Sequence, residues 1–129
     1  MTHTLTLVSQ TSELVKLATW IEDKLPTEIN KTNKSHILLT THEIATNAII
    51  HGNKSEVDKE VTIEIKIYID KIIINITDEG LGNFTLPTKE EAKVMNNLVE
   101  NGRGLKLAVR LATSVSKIKN SVKITYNTK

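Results

Sequence analysis

From Glu60 to Ile69 the chain alternates almost without a break, with Val61, Ile63, Ile65, Ile67 and Ile69 on one side. Thr62, Glu64, Lys66 and Tyr68 fall on the other. Side chains of a strand point to opposite faces in turn, so this segment is a strand with one dry and one wet face. A dry face of branched aliphatics needs a second layer to cover it. Asp70-Lys71 serves as a two-residue turn, and Ile72 to Thr77 returns as an antiparallel partner. Thr4 to Ser9, with Leu5 and Leu7 between threonines, fits a short edge strand. Ser114 to Lys119 and Val122 to Asn127 form a last hairpin across Asn120-Ser121.

Segments of helical spacing supply the cover. Leu14, Leu17, Ala18, Ile21 and Leu25 recur on one face, with Thr11 or Ser12 as cap and Pro26 as the stop. Thr27 to Lys34 is a polar connection. Thr32 or Asn33 caps a second helix, in which Ile37, Ile44, Ala45, Ala48 and Ile49 share a broad face, and Gly52 ends it as a C-terminal cap would. Ala92, Met95, Leu98 and Val99 mark a shorter helical stretch; Leu105, Ala108, Val109 and Ala112 mark another. Strands that pair as hairpins, with helices between them, predict an α+β fold: a two-layer α/β sandwich, mostly antiparallel, helices on one face.

A chain of 129 residues is one domain's worth, taken as 1–129. Four aromatic residues (Trp20, Tyr68, Phe84 and Tyr126) leave the core to Ile, Leu, Val and Ala. A net charge of +2, with no basic stretch interleaved with aromatics, argues against direct nucleic-acid binding. The absence of cysteine excludes disulfides and Cys-ligated zinc. Residues 1–7 lack the basic and apolar regions of a signal peptide, and no apolar run approaches the roughly 20 residues needed to span a bilayer. The expectation is a cytoplasmic protein with no membrane partner.

Three stretches carry chemistry. Glu43 and Asn47 are four apart on the second helix and point the same way, flanked by Leu39 and Ile50. The acid is a candidate base and the amide oxygen a candidate ligand for a hard cation; a polar stripe on a surface helix is the plain alternative. Asp78-x-Gly80-x-Gly82 follows a strand, where glycines let backbone approach a ligand and the acid can accept from an amine. It could equally be a simple turn. Gly102-Arg103-Gly104-Leu105 opens a helix, whose free N–H groups with Arg103 make an anion site, or else a loosely capped linker. Neither glycine cluster is a G-x-x-x-x-G-K-[ST] loop or a Rossmann fingerprint.

Taken in order, this set resembles the Bergerat-type (GHKL) nucleotide fold of histidine kinases and the gyrase B subunit. Glu43-x-x-x-Asn47 is similar to its N box, Asp78-x-Gly80-x-Gly82 to its G1 box and Gly102-x-Gly104-Leu105 to its G2 box. Within that superfamily the wording Glu-x-x-Thr-Asn-Ala-x-x-His-Gly and Gly-Arg-Gly-Leu is similar to the stand-alone anti-sigma factor serine/threonine kinases of the RsbW and SpoIIAB kind. The resemblance implies a histidine kinase-like ATPase domain that uses ATP and Mg²⁺. Asn47 would hold the metal and Asp78 the adenine amine, with Gly80 and Gly82 beside the ring. Gly102, Arg103, Gly104 and Leu105 would cover the phosphates, Arg103 near the γ-phosphate, and Thr125 would reach the adenine pocket. Glu43 would be the base for an incoming serine or threonine hydroxyl. The implied partners are a STAS-domain anti-sigma factor antagonist as substrate, a sigma factor, and a second copy of the chain. Asn83, inserted between Gly82 and Phe84, and the compact stretch 85–101 depart from the family pattern and bear on the lid.

Other polar residues read more simply. His51 lies at a helix C-terminus, where the dipole favours a cation. His36 and His42 are surface residues, and position 46 is Thr, so no H-E-x-x-H metal pair exists. Trp20 is a core or interface anchor, and Leu14, Leu17 and Ile21 serve the core or a second protomer. Two alternatives to the kinase share its pocket: a nucleotide-dependent binding switch without transfer, and a detached histidine kinase catalytic domain. The acid at position 43 favours the kinase over the switch, and the lack of a helical hairpin bearing a phosphoacceptor histidine disfavours the last.

Overall fold

A computed structural model describes residues 1–93 and 103–128, with the backbone alone for 103 and 104. Five strands form one antiparallel sheet: β1 (Thr2–Val8), β2 (Glu60–Ile67), β3 (Lys71–Thr77), β4 (Ser114–Ile118) and β5 (Ser121–Asn127). Their order across the sheet is β1-β2-β3-β5-β4. The pairing lines up one dry row after another. Leu5 faces Ile63, Ile63 faces Ile76 and Ile76 faces Val122; in the next row Ile65 faces Ile74, and Ile74 faces Ile124. The reverse face is polar, with Thr62, Glu64, Lys66, Asn75, Thr77, Lys123 and Thr125. There Asn75 Nδ2 donates to Glu64 Oε1 at 3.4 Å, and the Thr77 and Ser121 hydroxyls meet at 2.9 Å.

The α+β sandwich expected from the sequence is the architecture observed. Helices α1 (Leu14–Lys24), α2 (Lys31–Asn47), α3 (Lys89–Ala92) and α4 (Arg103–Leu111) complete it. Leu14, Leu17, Ile21 and Leu25 join the same core as the dry sheet face, so the apolar face of α1 serves this protomer. Trp20 is half-buried against that core.

Several local expectations are corrected. Neither Thr11 nor Ser12 caps α1; Glu13 sits there instead and accepts from the Val8 N–H at 3.3 Å. Asn30, not Thr32 or Asn33, caps α2 by accepting from the Asn33 N–H at 2.7 Å. Strand β2 stops at Ile67, because the Tyr68 N–H closes a turn onto the Lys71 carbonyl; Ile69 is 83% exposed rather than inward. The last hairpin turns over Lys119-Asn120, with Lys119 at φ +53°. Thr88 and Glu91 form a reciprocal capping box on α3, while Met95, Leu98 and Val99 lie outside the described residues.

Gly52 is also not a left-handed cap: among glycines, only Gly82 has positive φ among the described residues. The α-helix passes instead into a wider π turn, Ala48–Gly52, closed by the Asn53 N–H donating to the Ala48 carbonyl five residues back at 2.8 Å. Such turns are rare and concentrate at functional sites.

One polar contact sets how α2 lies on the sheet. Tyr126 projects from β5 into the core, 2% exposed, and its hydroxyl meets the Thr40 hydroxyl, which also donates to the His36 carbonyl at 2.7 Å. Burial pushes the Tyr126 phenol up to about 12. A folded-state value above the unfolded one near 10 gives stability that is complete below the unfolded value and is lost as the pH rises toward 12. Wild-type protein should therefore lose stability between these values, in chemical denaturation followed by circular dichroism. Tyr126→Phe should be less stable at neutral pH by about 1 kcal/mol, its Thr40 partner gone, but with a flatter alkaline limb.

Candidate functional site

Between the end of α2, the end of β3 and the start of α4 lies an open cavity of about 670 Å³, within the usual range for small-ligand sites. Asn47 and Ala48 come from the end of α2 and the start of the π turn, with His51 and Gly52 from its far end. Ile76 and Val122 form its apolar floor, Asp78 to Phe84 one side, and Leu105 of α4 the other.

Asp78 is the buried charge of this cavity, 9% exposed. Its Oδ1 accepts from the Gly80 N–H at 2.7 Å. Burial raises the Asp78 pKa, and the Gly80 bond offsets only part of that effect. The carboxylate lies directly on Gly52: a β-carbon at residue 52 would come within 2.1 Å of Asp78 Oδ2. One at Gly80 would come within 2.4 Å of the Gly52 carbonyl oxygen. Gly82 has φ +71°, and a β-carbon there would meet the Lys119 carbonyl at 2.5 Å. Residues 52, 80 and 82 thus need glycine for close approach, and 82 for its backbone as well.

The loop after β3 is held at nearly every residue. The Asp78 N–H donates to the Asn120 carbonyl at 3.1 Å, and Asn120 Nδ2 donates back to the Asp78 carbonyl. The Glu79 N–H donates to Asn53 Oδ1 at 2.7 Å. Lys117 Nζ donates to the Gly82 and Phe84 carbonyls at 2.8 and 2.7 Å and lies 4.3 Å from the Phe84 ring centroid. Asn83 is therefore accommodated in a loop whose carbonyls on both sides converge on one ammonium group.

Of the residues expected from the sequence, Asn47, Asp78, Gly80, Gly82 and Leu105 line this one cavity. Glu43 stands one turn before Asn47, half-buried, beside the cavity rather than in its wall. Arg103 and Gly104 open α4 near Leu105, and Gly102 lies outside the described residues. Thr125 is not brought to the cavity. It pairs with Ile73 on the polar face of the sheet, and the alternation of β5 gives the floor position to Val122. Asn53, Lys117 and Asn120 were not marked by the sequence. Asn53 follows the glycine of a helix end, where a buried amide leaves no periodic signature.

The cavity suits a planar amine-bearing group. It offers a desolvated carboxylate with one oxygen accepting no hydrogen bond among the described residues, glycine-lined backbone and an apolar floor. The Asn47 amide, whose side chain makes no hydrogen bond among the described residues, is available to a cation or to phosphate-bound water. Among those residues no three His, Cys, Asp or Glu side chains gather as a metal site, so a metal here would need ligands from a bound molecule. None of the described helices is long and apolar enough to cross a membrane.

The fold is an α+β sandwich with a cavity at the end of α2, and the family profile described as the histidine kinase-like ATPase domain matches residues 7–126. The chain belongs to that family. Among individual proteins it is similar to the serine-protein kinase RsbW of Listeria innocua serovar 6a and that of Listeria monocytogenes serovar 1/2a. Each is 36% identical over 53 residues, 41% of this chain and 33% of the relative, so the match spans about a third of these curated relatives.

The desolvated carboxylate predicts a trade between stability and binding. A raised folded pKa means that ionising Asp78 costs stability as the pH rises above the unfolded carboxylate value. Asp78→Asn should raise the melting temperature of the ligand-free protein by a few degrees at pH 7–8 and lose that advantage near pH 4. The same variant should weaken adenine-nucleotide binding about tenfold or more in calorimetric titration.

Proposed function

We propose that this chain, as a single domain over 1–129, is a cytoplasmic ATP-dependent protein serine/threonine kinase. We propose further that it acts as an anti-sigma factor whose substrate is a STAS-type antagonist. The observation that carries the reading is the pairing on α2: Asn47 in the cavity wall and Glu43 one turn away at its edge. An acid adjoining a nucleotide cavity, with no hydrogen bond or ion pair among the described residues, is placed to receive a proton from a hydroxyl outside it. Resemblance to the RsbW serine-protein kinases over part of the chain supports the choice of a serine or threonine acceptor.

In this reading Asp78 accepts the exocyclic amine of adenine, while Gly80 and Gly82 let the backbone lie against the ring. Asn47 would hold Mg²⁺, which when bound would neutralise phosphate charge. The resemblance assigns the cover of the phosphates to Gly102, Arg103, Gly104 and Leu105, of which Arg103, Gly104 and Leu105 lie at the start of α4. Glu43 takes the hydroxyl proton of the protein substrate as its oxygen bonds to the γ-phosphorus. The bond from the β–γ bridging oxygen to that phosphorus breaks, and ADP leaves. Positioning and charge neutralisation provide most of the acceleration, as in phosphoryl transfer generally.

A second reading, a nucleotide-dependent binding switch without transfer, draws on the position of Glu43 outside the cavity wall. Incubation with Mg-ATP and STAS-domain candidates separates the two. The kinase adds the mass of one phosphoryl group to a candidate, whereas ATP binding without transfer to any candidate supports the switch. Asn47→Ala should weaken Mg²⁺-dependent ATP binding about tenfold or more. Glu43→Gln should bind ATP within about twofold of wild type while kcat falls roughly 10²- to 10⁴-fold. Full transfer by Glu43→Gln removes the base assignment.

A further inference from the structure

Asn53 is the polar side chain most completely withdrawn from water beside the cavity, 0% exposed. Its Nδ2 donates to Ser9 Oγ at 2.9 Å and to the Glu60 carbonyl at 3.0 Å. Its Oδ1 accepts from the Glu79 N–H at 2.7 Å. Ser9, 1% exposed, passes the connection on by donating to the Lys59 carbonyl at 2.7 Å. One amide thus joins the end of β1, the start of β2, the exit of the π turn and the loop after β3.

Two of these connections bear on Asp78. Glu79 is the next residue, so the peptide that leaves Asp78 is fixed by Asn53 Oδ1. Gly52, the surface against which the carboxylate packs, directly precedes Asn53. Asn120 holds the Asp78 backbone from the opposite side. The carboxylate is therefore aimed by a frame that Asn53 holds on one side and Asn120 on the other.

We propose that Asn53 is a positioning residue for base selection, acting through Asp78; this rests on the reading of Asp78 as the acceptor for adenine. An ionised carboxylate can only accept hydrogen bonds, so it attracts the exocyclic amine of adenine and repels the carbonyl that guanine carries at the equivalent ring position. Strong rejection requires that the buried acceptor cannot swing aside to accommodate the wrong base. Asn53 supplies that restraint, and Ser9 in turn restrains Asn53.

The test measures ADP and GDP binding to the full chain by calorimetry, with melting temperature recorded in parallel. Wild type should prefer ADP. In Asn53→Ala the melting temperature should fall, and the ADP-to-GDP affinity ratio should fall about tenfold. A purely structural role would lower the melting temperature and leave the ratio unchanged, which would overturn the proposal. Ile37→Val, a core change remote from this network, is the control for instability: its ratio should remain that of wild type, and an equal fall there would also overturn the proposal. Should Asn53→Ala fail to fold, Ser9→Ala decides, with an expected fall of about threefold and an unchanged ratio as the refuting result. Asp78→Asn separates the two levels of the argument. If it keeps the ADP preference, the base-recognition reading fails and the role of Asn53 fails with it. If it loses the preference while a folded Asn53→Ala keeps it, only the role of Asn53 falls.

Discussion

The carboxylate of Asp78 lies where a β-carbon on residue 52 would be, and that contact sets how closely the end of α2 can approach the end of β3. Any larger residue at 52 would displace the Asp78 carboxylate from its place between the helix end and the strand end. Gly80 repeats the constraint from the other side, since its missing side chain leaves room for the Gly52 carbonyl. The cavity is thus defined by backbone against backbone with one charge enclosed between them. A carboxylate in such a place disfavours its own ionisation, and among the described residues Gly80 alone donates a hydrogen bond to it. A site that costs stability when empty is what a ligand-supplied partner would relieve.

That contact depends on the register between α2 and the sheet, which is fixed farther along the helix. Tyr126 and Thr40 join β5 to the middle of α2 inside the core, where apolar packing alone would allow the helix to slide. The isoleucine rows of β2 and β3 supply area without direction. A hydroxyl pair supplies direction, because only one alignment satisfies both groups. The residues beyond Thr40 then follow at helical intervals to Asn47 at the cavity wall.

The fold was legible because its signals are periodic. Alternation in β2 and β3, and helical spacing in α1 and α2, follow from the geometry of the elements themselves. Strand ends were less so: Ile69 continues the alternation on paper, yet a backbone hydrogen bond from Tyr68 to Lys71 turns the chain two residues earlier. Capping was also misplaced by a few residues, since Asn30, Thr32 and Asn33 are chemically equivalent candidates and only the chain path chooses among them. In the cavity, Asn47, Asp78, Gly80, Gly82 and Leu105 came together from motifs recognisable by type and spacing. Thr125 did not, because a position on a strand says which face it occupies only once the neighbouring register is known. Asn53 and Lys117 were illegible for a related reason. Most of their partners are backbone atoms, several of them tens of residues away, and backbone atoms leave no mark in the residue alphabet.

The change from α-helix to π turn falls directly after Asn47, so it reshapes the chain beyond the amide and leaves the acid and the amide in regular helix. Up to Asn47 the helix is regular, and Glu43 stays beside the cavity, one turn away from its wall. After it, the wider turn takes an additional residue into the ring that Asn53 closes on Ala48. His51 and Gly52 line the same wall as Ala48, and Gly52 lies under the Asp78 carboxylate. Had the α-helix continued with its ordinary pitch, residue 52 would have rotated out of that contact by a large fraction of a quarter-turn. The enclosed carboxylate and its glycine floor therefore depend on a local departure from the helix that carries Glu43 and Asn47. The wall residues Ala48, His51 and Gly52 are set by the irregular end, and the acid beside the cavity is set by the regular part.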